Sequence, residues 1–344
     1  MKKKGLLVAT AVGLGCWALA AVVERRRFSG LRGKVVLITG SSRGFGLALA
    51  EEFGGSGARL VLTARDEAEL QAAKRDLMAR GLADENVLYF PCDLTNLDET
   101  KNMVALATAR MGRIDILVNN AGIITVGPVE DQPVSAFKEA VESNYYTALH
   151  ATNSVLPQML ARGGGNIVNI ASIGGKVAVP HLLPYSASKF ALVGFSQGLH
   201  AELRSKGILV TTVCPGLMRT GSQDQALFTG HREREYRWFS LGASLPGLSI
   251  AASSAARKVV AATASGATEL IITPQASLAA TVAQMAPAFT GKLLSIVNDL
   301  FLPLPTSVDS DEAQPGETVH DKELTPLTVL GNAAKLRFNE QGIR

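Results

Sequence analysis

Short apolar runs alternate with amphipathic helical patterns along most of the chain. The runs are rich in β-branched residues and too short for buried helices, so each predicts a buried strand. The stretches between them repeat their apolar residues with the period of a helix. This alternation predicts one α/β domain, a doubly wound parallel sheet of about seven strands with helices on both faces. The predicted strands cover residues 34–39, 58–63, 86–91, 114–118, 167–171, 208–213 and 268–273, and the domain covers residues 30–274.

Two segments follow the predicted domain. Residues 275–305 are apolar but interrupted by Pro287, Lys292 and Asp299, which is typical of two amphipathic helices. This helical extension could cover the sheet edge, pair with a second subunit or rest on a membrane. Residues 306–344 begin with an acidic stretch that is poor in apolar side chains, so we expect a disordered tail there.

The first residues carry the clearest charge pattern. Three lysines precede the uncharged residues 5–23, and one glutamate and three arginines follow them. A helix of this length would measure about 28 Å, close to the roughly 30 Å of a bilayer's hydrocarbon core. We therefore predict that residues 1–29 form a membrane anchor, which is an apolar helix with basic residues on both sides. The alternatives are a cleaved signal peptide, with residues 18–20 as its cleavage site, and a lipoprotein signal around Cys16.

The formal net charge of +4 describes this terminus rather than the domain. Residues 1–27 contain six basic residues and one acidic residue, so the remaining chain is close to neutral and slightly acidic. We therefore predict no surface for nucleic acid. Cys16, Cys92 and Cys214 are far apart, and neither they nor the histidines have the spacing of metal ligands. This pattern predicts no metal site and fits a reducing compartment.

A glycine-rich turn follows the first predicted strand. Its sequence is Gly40-Ser41-Ser42-Arg43-Gly44-Phe45-Gly46, and a helical pattern begins directly after it. Strand, glycine turn and helix form the context of a phosphate-binding loop, because glycines let the backbone approach closely and the helix start offers free N–H groups. The Gly-x-x-x-Gly-x-Gly spacing differs from the general dinucleotide fingerprint, Gly-x-Gly-x-x-Gly. We predict that this turn binds a dinucleotide pyrophosphate.

The end of the second predicted strand indicates which dinucleotide is bound. An acidic residue near this point binds a ribose 2′-hydroxyl, whereas an arginine accommodates a 2′-phosphate. Ala64 stands where the acid would align, and Arg65 and Arg43 could form the two sides of a phosphate clamp. We therefore predict NADP(H) rather than NAD(H). Asp66 is interpreted as the N-cap of the following helix.

Candidate catalytic residues lie around the end of the fifth predicted strand. Ser172 closes that strand, and Tyr185 and Lys189 open a helical pattern four residues apart, on one helix face. The ordinary pKa of a phenol is about 10, and a nearby cation lowers it toward neutrality. Alone, the pair also fits a surface helix with a solvated lysine. Its combination with Ser172 and the glycine turn favours a proton donor and acceptor for a carbonyl or an alcohol.

Ser172, Tyr185 and Lys189, preceded by Asn144, resemble the catalytic tetrad of short-chain dehydrogenases/reductases, and the glycine turn has that family's spacing. The resemblance covers about residues 31–274 and implies a Rossmann-like fold that interconverts a ketone and a secondary alcohol. It also implies that Asn144 holds a water in a proton relay from Lys189. Further residues resemble the family's cofactor contacts: Asp93 near the adenine, Ala121 and Gly122 at the nicotinamide ribose, and Pro215, Gly216 and Thr220 on the nicotinamide side, where the threonine hydroxyl meets the carboxamide. The complete predicted cofactor set is Gly40, Ser42, Arg43, Gly44, Phe45, Gly46, Arg65, Asp93, Asn120, Ala121, Gly122, Tyr185, Lys189, Pro215, Gly216 and Thr220.

These motifs leave the substrate open. The anchor and the aromatic side chains of residues 221–247, where we expect a lid, favour a lipophilic ketone or alcohol. The alternatives are a 3-oxoacyl reductase of lipid synthesis and a non-catalytic NADP(H)-binding scaffold at a membrane. The resemblance implies a homodimer or homotetramer that pairs through the Asn144 and Tyr185 helices. Because the cofactor must be available to the enzyme, we favour a retained anchor with the catalytic domain on the cytoplasmic side.

Overall fold

The computed structural model describes residues 30–245, 248–306, 312–319, 334, 337 and 338. The predicted anchor, residues 1–29, lies outside this range. The strands are β1 (Val35–Thr39), β2 (Arg59–Ala64), β3 (Val87–Pro91), β4 (Ile116–Asn119), β5 (Thr125–Val126), β6 (Gly165–Ile170), β7 (Ile208–Cys214), β8 (Leu217–Arg219), β9 (Leu227–Phe228), β10 (Ser249–Ala251), β11 (Glu269–Ile271) and β12 (Gln314–Pro315).

Helices fill most of the connections between these strands. They are α1 (Gly44–Gly55), α2 (Glu67–Ala79), α3 (Leu97–Met111), α4 (Val134–Val141), α5 (Thr147–Ala161), α6 (Leu183–Leu203), α7 (Arg232–Ser244), α8 (Ala252–Ser265), α9 (Pro274–Met285), α10 (Pro287–Phe301) and α11 (Gly316–Val319). A π-helical turn, Glu142–Tyr146, joins α4 to α5.

Seven of the strands form one sheet in the order β11-β7-β6-β4-β1-β2-β3. Every neighbouring pair in this sheet is parallel. The order reverses between β1 and β4, and ligands bind beyond the strand ends at such a switch point. The predicted doubly wound α/β sheet is confirmed.

The two faces of the sheet carry separate apolar cores, because successive side chains of a strand point to opposite faces. Val36 and Ile38 of β1 pack with α1 and α8 in one core. Val35 and Leu37 pack with α3 and α5 in the other. Phe53 of α1 is fully buried, and a side chain of this size contributes roughly 2–3 kcal/mol by its removal from water. These cores fix the strand ends that carry the candidate site.

The expected lid has more regular structure than its sequence pattern predicts. It contains β9 and α7, and the next residues, Ser249–Ala251, form a strand that pairs with β8. Phe228, Tyr236 and Phe239 pack in a small core of their own. Helix α7 buries the polar residues Glu235 and Ser240. They break the repeat of apolar residues by which a helix is predicted from sequence, so the sequence does not reveal α7.

Part of the expected disordered tail is folded. Strand β12 pairs antiparallel with β9, and Val319 of α11 is buried in the lid core. The Gly316 N–H donates to the Ala226 carbonyl over 2.9 Å, and Thr306 bonds to the carboxylate of Asp131. Backbone pairing supplies this order, which is why a composition poor in apolar residues does not reveal it.

The apolar extension forms two helices, as predicted. They are α9 and α10, and they pack against each other beyond β11, which lies at one edge of the sheet. Among the residues that the structure describes, no helix combines the length and the apolar character needed to cross a bilayer.

Candidate active site

Three of the four predicted catalytic side chains are positioned by β6 and α6. Ser172 lies just beyond β6, and its Oγ accepts a hydrogen bond from the Gly174 N–H over 3.0 Å, which fixes the following tight turn. Helix α6 has Pro184 in its first turn, where the missing N–H costs no helical hydrogen bond. Tyr185 and Lys189 follow on successive turns of α6.

Ser172 and Tyr185 both lie against Gly174, where a Cβ would be 3.4 Å from Ser172 Oγ and 3.3 Å from Tyr185 Cε1. Burial raises the pKa of Tyr185, and Ser172 opposes this effect only in part. Lys189 Nζ lies 5.7 Å from the centroid of the Tyr185 ring. The expected lowering of the tyrosine pKa is therefore not produced by the protein groups of this structure, because desolvation of the phenolate outweighs the favourable contacts.

Lys189 lies deeper than Tyr185 and is buried. Its Nζ donates to the Ile170 carbonyl over 3.0 Å. Burial lowers the pKa of Lys189 from 10.5 to about 8, because an ammonium loses its hydration there. An amine with this pKa can release and regain a proton near neutral pH.

Asn144 lies in the π-helical turn and is fully buried. Its Oδ1 accepts from the Ile123 N–H over 2.9 Å, while its Nδ2 donates to the Ile123 carbonyl and to Ser188 Oγ, each over 3.0 Å. The side chain therefore connects the segment after β4 to helix α6. Single π-turns within helices are frequent at functional sites.

Gly122 brings Asn144 and Lys189 against the same stretch of backbone. A Cβ at this glycine would collide with Asn144 Oδ1 and would lie 3.5 Å from Lys189 Nζ. Only a residue without a side chain fits between the two groups. Gly122 also lines the neighbouring cleft, whereas Asn144, Ser172, Tyr185 and Lys189 do not line it themselves.

The cleft has a volume of about 650 Å³, within the range of ligand pockets. Its lining includes eleven of the predicted cofactor residues: Gly40, Ser42, Arg43, Gly44, Phe45, Gly46, Arg65, Asp93, Asn120, Ala121 and Gly122. Pro215, Gly216 and Thr220 lie after β7, at the side of the Ser172 turn. The Pro215 carbonyl accepts from the Ile173 N–H over 2.8 Å, and Thr220 Oγ1 accepts from the N–H of Ser222, which lines the cleft.

The glycine turn needs its glycines for close packing. Gly40 has a φ of +60°, and a Cβ there would lie 2.8 Å from the Ala121 Cα. Asn120 Nδ2 donates to the carbonyls of Thr39 and Gly40, each over 3.0 Å, so Asn120 positions the turn. The Gly44 N–H donates to the Phe338 carbonyl over 2.8 Å, which fastens the turn to a residue near the end of the chain. The bare backbone and the start of α1 fit a pyrophosphate.

A buried amide network braces the centre of the sheet beneath the cleft. Asn119 Nδ2 donates to Asn169 Oδ1 over 2.8 Å and to Thr152 Oγ1 over 3.0 Å. Asn169 in turn donates to Ser196 Oγ over 2.9 Å. The family resemblance implies this bracing role for Asn119.

The predicted phosphate clamp contains a residue that the sequence patterns did not reveal. Glu69 Oε1 accepts from Arg43 Nη1 over 2.6 Å, and Glu69 Oε2 accepts from Ser42 Oγ over 2.8 Å. Arg65 is exposed at the rim. The predicted N-cap is confirmed, because Asp66 Oδ1 accepts from the Glu69 N–H. That cap places Glu69 in the first turn of α2. Glu69 lies three residues after the N-cap Asp66, and this spacing is the sequence signal that could have revealed Glu69 as a site residue.

A second group of polar side chains is buried beside Tyr185. His181 has a φ of +62°, and its Nδ1 lies 2.8 Å from Glu235 Oε1. Glu235 Oε2 accepts from Trp238 Nε1 over 2.6 Å. His181 and Glu235 are both buried, so this group joins the chain before α6 to the lid helix α7.

A family model described as short chain dehydrogenase matches residues 34–227. The chain belongs to the short-chain dehydrogenase/reductase family. Members of this family are oxidoreductases that act on CH–OH groups with a nicotinamide cofactor, so the chain is an enzyme of this class. The resemblance drawn from the motifs is confirmed.

Two known relatives are 37% and 39% identical to this short-chain dehydrogenase/reductase over the aligned residues. Dehydrogenase/reductase SDR family member 7B of Danio rerio is 37% identical over 228 residues, which cover 65% of this chain and 73% of the relative. A putative ketoacyl reductase of Streptomyces coelicolor is 39% identical over 189 residues, covering 54% of this chain and 71% of the relative.

Two solved structures show the same fold. A short-chain dehydrogenase from Streptomyces avermitilis aligns with a TM-score of 0.66 and 31% identity, covering 77% of this chain and 97% of that chain. A variant of actinorhodin polyketide ketoreductase with NADPH aligns with a TM-score of 0.59 and 32% identity, covering 70% and 95%.

Proposed function

We propose that this enzyme interconverts a lipophilic ketone and a secondary alcohol with NADP(H), chiefly as a reductase. The proposal depends on one arrangement above all. Tyr185 and Ser172 both lie against Gly174, and the buried Lys189 reaches Gly122, which lines a cleft that begins at a glycine turn.

The cleft residues suit a nicotinamide dinucleotide. The glycine turn and the start of α1 would hold the pyrophosphate, Asp93 would lie near the adenine, and Ala121 and Gly122 would lie along the nicotinamide ribose. Pro215, Gly216 and Thr220 would hold the carboxamide. When bound, the cofactor supplies or accepts the hydride at the substrate carbon.

The protein residues handle the proton and the oxygen of the substrate. Ser172 and Tyr185 would donate hydrogen bonds to the carbonyl oxygen and stabilise negative charge as it develops there. Burial keeps Tyr185 protonated near neutral pH, which suits delivery of its proton to that oxygen during reduction. Lys189, whose pKa is about 8, would then return a proton to the phenolate, and Asn144 would hold the water that connects Lys189 to solvent.

The choice of NADP(H) is supported by Arg43 and Arg65 at the rim of the cleft. The actinorhodin ketoreductase structure was obtained with NADPH. Glu69 acts against this choice, because its carboxylate holds Arg43 and would repel a 2′-phosphate. We infer that Arg43 changes partner from Glu69 to the phosphate.

A second candidate function is the reduction of a 3-oxoacyl thioester. The names of two relatives favour it, the putative ketoacyl reductase of Streptomyces coelicolor and the granaticin polyketide synthase putative ketoacyl reductase 1 of Streptomyces violaceoruber. An acyl chain and a long-chain ketone are both lipophilic, so one panel of substrates compares the two candidates.

The test measures cofactor absorbance with a panel of lipophilic ketones, secondary alcohols and 3-oxoacyl thioesters. NADPH and NADH are compared side by side. Tyr185→Phe should lower kcat by at least about a hundredfold, since it removes the proton donor and keeps the ring. Tyr89→Phe, a change in β3 at a residue that does not line the cleft, is the matched control. Full turnover by Tyr185→Phe would refute the mechanism. No turnover by the unmodified enzyme with any substrate of the panel would favour a non-catalytic NADP(H)-binding scaffold.

We further propose that residues 1–29 anchor the enzyme in a membrane with its catalytic domain on the cytoplasmic side, and that the enzyme is a homodimer or homotetramer. Tyr146, Leu160 and Phe190 support the second statement, because they are exposed apolar side chains on the Asn144 and Tyr185 segments. Flotation with vesicles tests the anchor, and the mass of the protein in detergent tests the oligomer.

A further inference from the structure

Helices α9 and α10 present a dense group of apolar side chains to solvent. Of the twenty exposed large apolar side chains in the described part of the chain, eight belong to this hairpin and the residues just after it. No residue of α10 is buried. Soluble monomers rarely expose contiguous apolar patches of this kind, so the face indicates contact with another apolar surface. The eight are Leu278, Met285, Phe289, Leu293, Ile296, Leu300, Phe301 and Leu304.

The exposed side chains of α10 lie on one side of that helix. Phe289, Leu293, Ile296 and Leu300 follow at intervals of four, three and four residues, which places them on one face. They are 60%, 48%, 53% and 70% exposed. On α9, Leu278 and Met285 repeat after two turns. The hairpin therefore has an apolar outer face, which we call the hairpin face.

Charges lie beside the hairpin face and not within it. Residues 274–305 contain only two charged residues, Lys292 and Asp299. They lie seven residues apart on a neighbouring stripe of α10, and Ser295 lies on the side away from the apolar residues. An apolar face with a polar flank is the pattern of a helix that lies in a membrane interface, where a long lysine side chain can reach the water.

The hairpin face continues toward the lid. Gln275 Nε2 of α9 donates to the Leu248 carbonyl over 3.3 Å. Leu217, Leu245 and Leu248, at 38%, 37% and 51% exposure, are further exposed apolar side chains of β8 and the connection between α7 and β10. Three further exposed apolar side chains thus belong to elements next to the start of α9.

The sequence before the described residues favours the bilayer as the occupant of this surface. Residues 5–23 carry no charge and are long enough to span the hydrocarbon core. The seven residues 24–30 that follow can reach at most roughly 25 Å. The anchor, on which this step depends, would therefore keep the domain close to the lipid surface.

We propose that α9 and α10 lie on the membrane, with the hairpin face at the boundary between head groups and acyl chains. The membrane then holds the enzyme at two places, the N-terminal segment and this hairpin. Because the spanning segment tethers the chain to the bilayer, docking of the hairpin becomes an intramolecular step at a high effective concentration.

Spin labelling of the full-length chain in phosphatidylcholine vesicles tests this contact. Cys16→Ser removes one native thiol, and Cys92 and Cys214 stay unlabelled because they are buried and their pKa is raised to about 11. A nitroxide is attached in turn at Leu278→Cys, Leu293→Cys and Leu300→Cys. The matched controls, Gln284→Cys and Ser295→Cys, lie on the same two helices but away from the hairpin face. Collision of each label with oxygen is compared with its collision with a water-soluble nickel chelate.

If the proposal is right, the oxygen-to-nickel ratio at the three leucine positions is at least about threefold higher than at the controls. Vesicle-bound protein with equal ratios at all five positions would overturn the hairpin contact and leave the anchor intact. Failure of the protein to float with vesicles would overturn both, whereas turnover in the same sample reports the oxidoreductase separately. Spin–spin broadening that disappears on dilution with unlabelled protein would instead identify a second copy as the occupant.

Discussion

Glu69 offers a direct test of how the cofactor is selected. Its carboxylate lies 2.6 Å from Arg43 Nη1 and 2.8 Å from Ser42 Oγ, so it occupies the position where a 2′-phosphate would need partners. Glu69→Gln removes the charge and keeps the shape. We expect this change to strengthen the binding of NADPH and to leave the binding of NADH nearly unchanged, because only NADPH carries the 2′-phosphate.

The size of the effect follows from the geometry of the pair. Unit charges about 5 Å apart interact by roughly 3 kcal/mol at an effective dielectric constant of about 20. The side chain of Arg43 is 33% exposed and that of Glu69 is 13% exposed, so solvent reduces this value. We expect a gain of about 1.4 kcal/mol for NADPH, which is roughly a tenfold decrease in Kd.

Calorimetric titration with each cofactor measures this difference without a substrate. Glu67→Gln is the matched control, because Glu67 lies in the same first turn of α2 and its side chain bonds with Gln71, away from the clamp. Equal changes for NADPH and NADH would refute the reasoning. A weaker NADPH complex would show that Glu69 orients Arg43 for the phosphate rather than competing with it.

Three further changes test the buried groups and the tail. The pKa of Lys189 is about 8 in the folded chain, against an ordinary value of 10.5, so the unfolded chain binds more protons between these values and folding gains stability as pH rises. The unfolding free energy of the enzyme should therefore increase relative to Lys189→Met by roughly 2–3 kcal/mol from pH 7 to pH 10, measured with urea. Glu235→Ala should destabilise the lid by about 1–3 kcal/mol, seen in Tm and in Trp238 fluorescence, because it leaves buried donors without an acceptor. Gly316→Ala should release β12 and speed limited proteolysis, since its Cβ would collide with the backbone, whereas Gly291→Ala has open space and should have no effect.

The sequence predicts the sheet and most of the site, because both depend on local patterns. Strand β1 is buried on both faces, so a continuous apolar run reveals it. The glycine turn follows directly, and its three glycines reveal the turn. Tyr185 and Lys189 share a helix, and four-residue spacing predicts their common face. The roles of these residues in catalysis stay predictions that the variants above will test.

The parts that the sequence did not predict depend on contacts between distant segments. The pairing of Glu69 with Arg43 joins two elements 26 residues apart, and β12 pairs with a strand almost ninety residues earlier. The pKa of Tyr185 likewise depends on how deeply the ring is buried, which spacing along a helix does not reveal. Desolvation raises this pKa and so opposes the lowering that a nearby cation produces.

The bond between the Gly44 N–H and the Phe338 carbonyl matters for how the protein is engineered. Phe338 belongs to the main apolar core, so a shortened form that stops before it would uncover that core beside the nucleotide turn. Such a shortened protein lacks the hydrogen bond that holds the glycine turn. Its cofactor affinity should therefore differ from that of the intact chain. Purification tags are therefore better placed away from Phe338, because its backbone holds the glycine turn and its side chain belongs to the core.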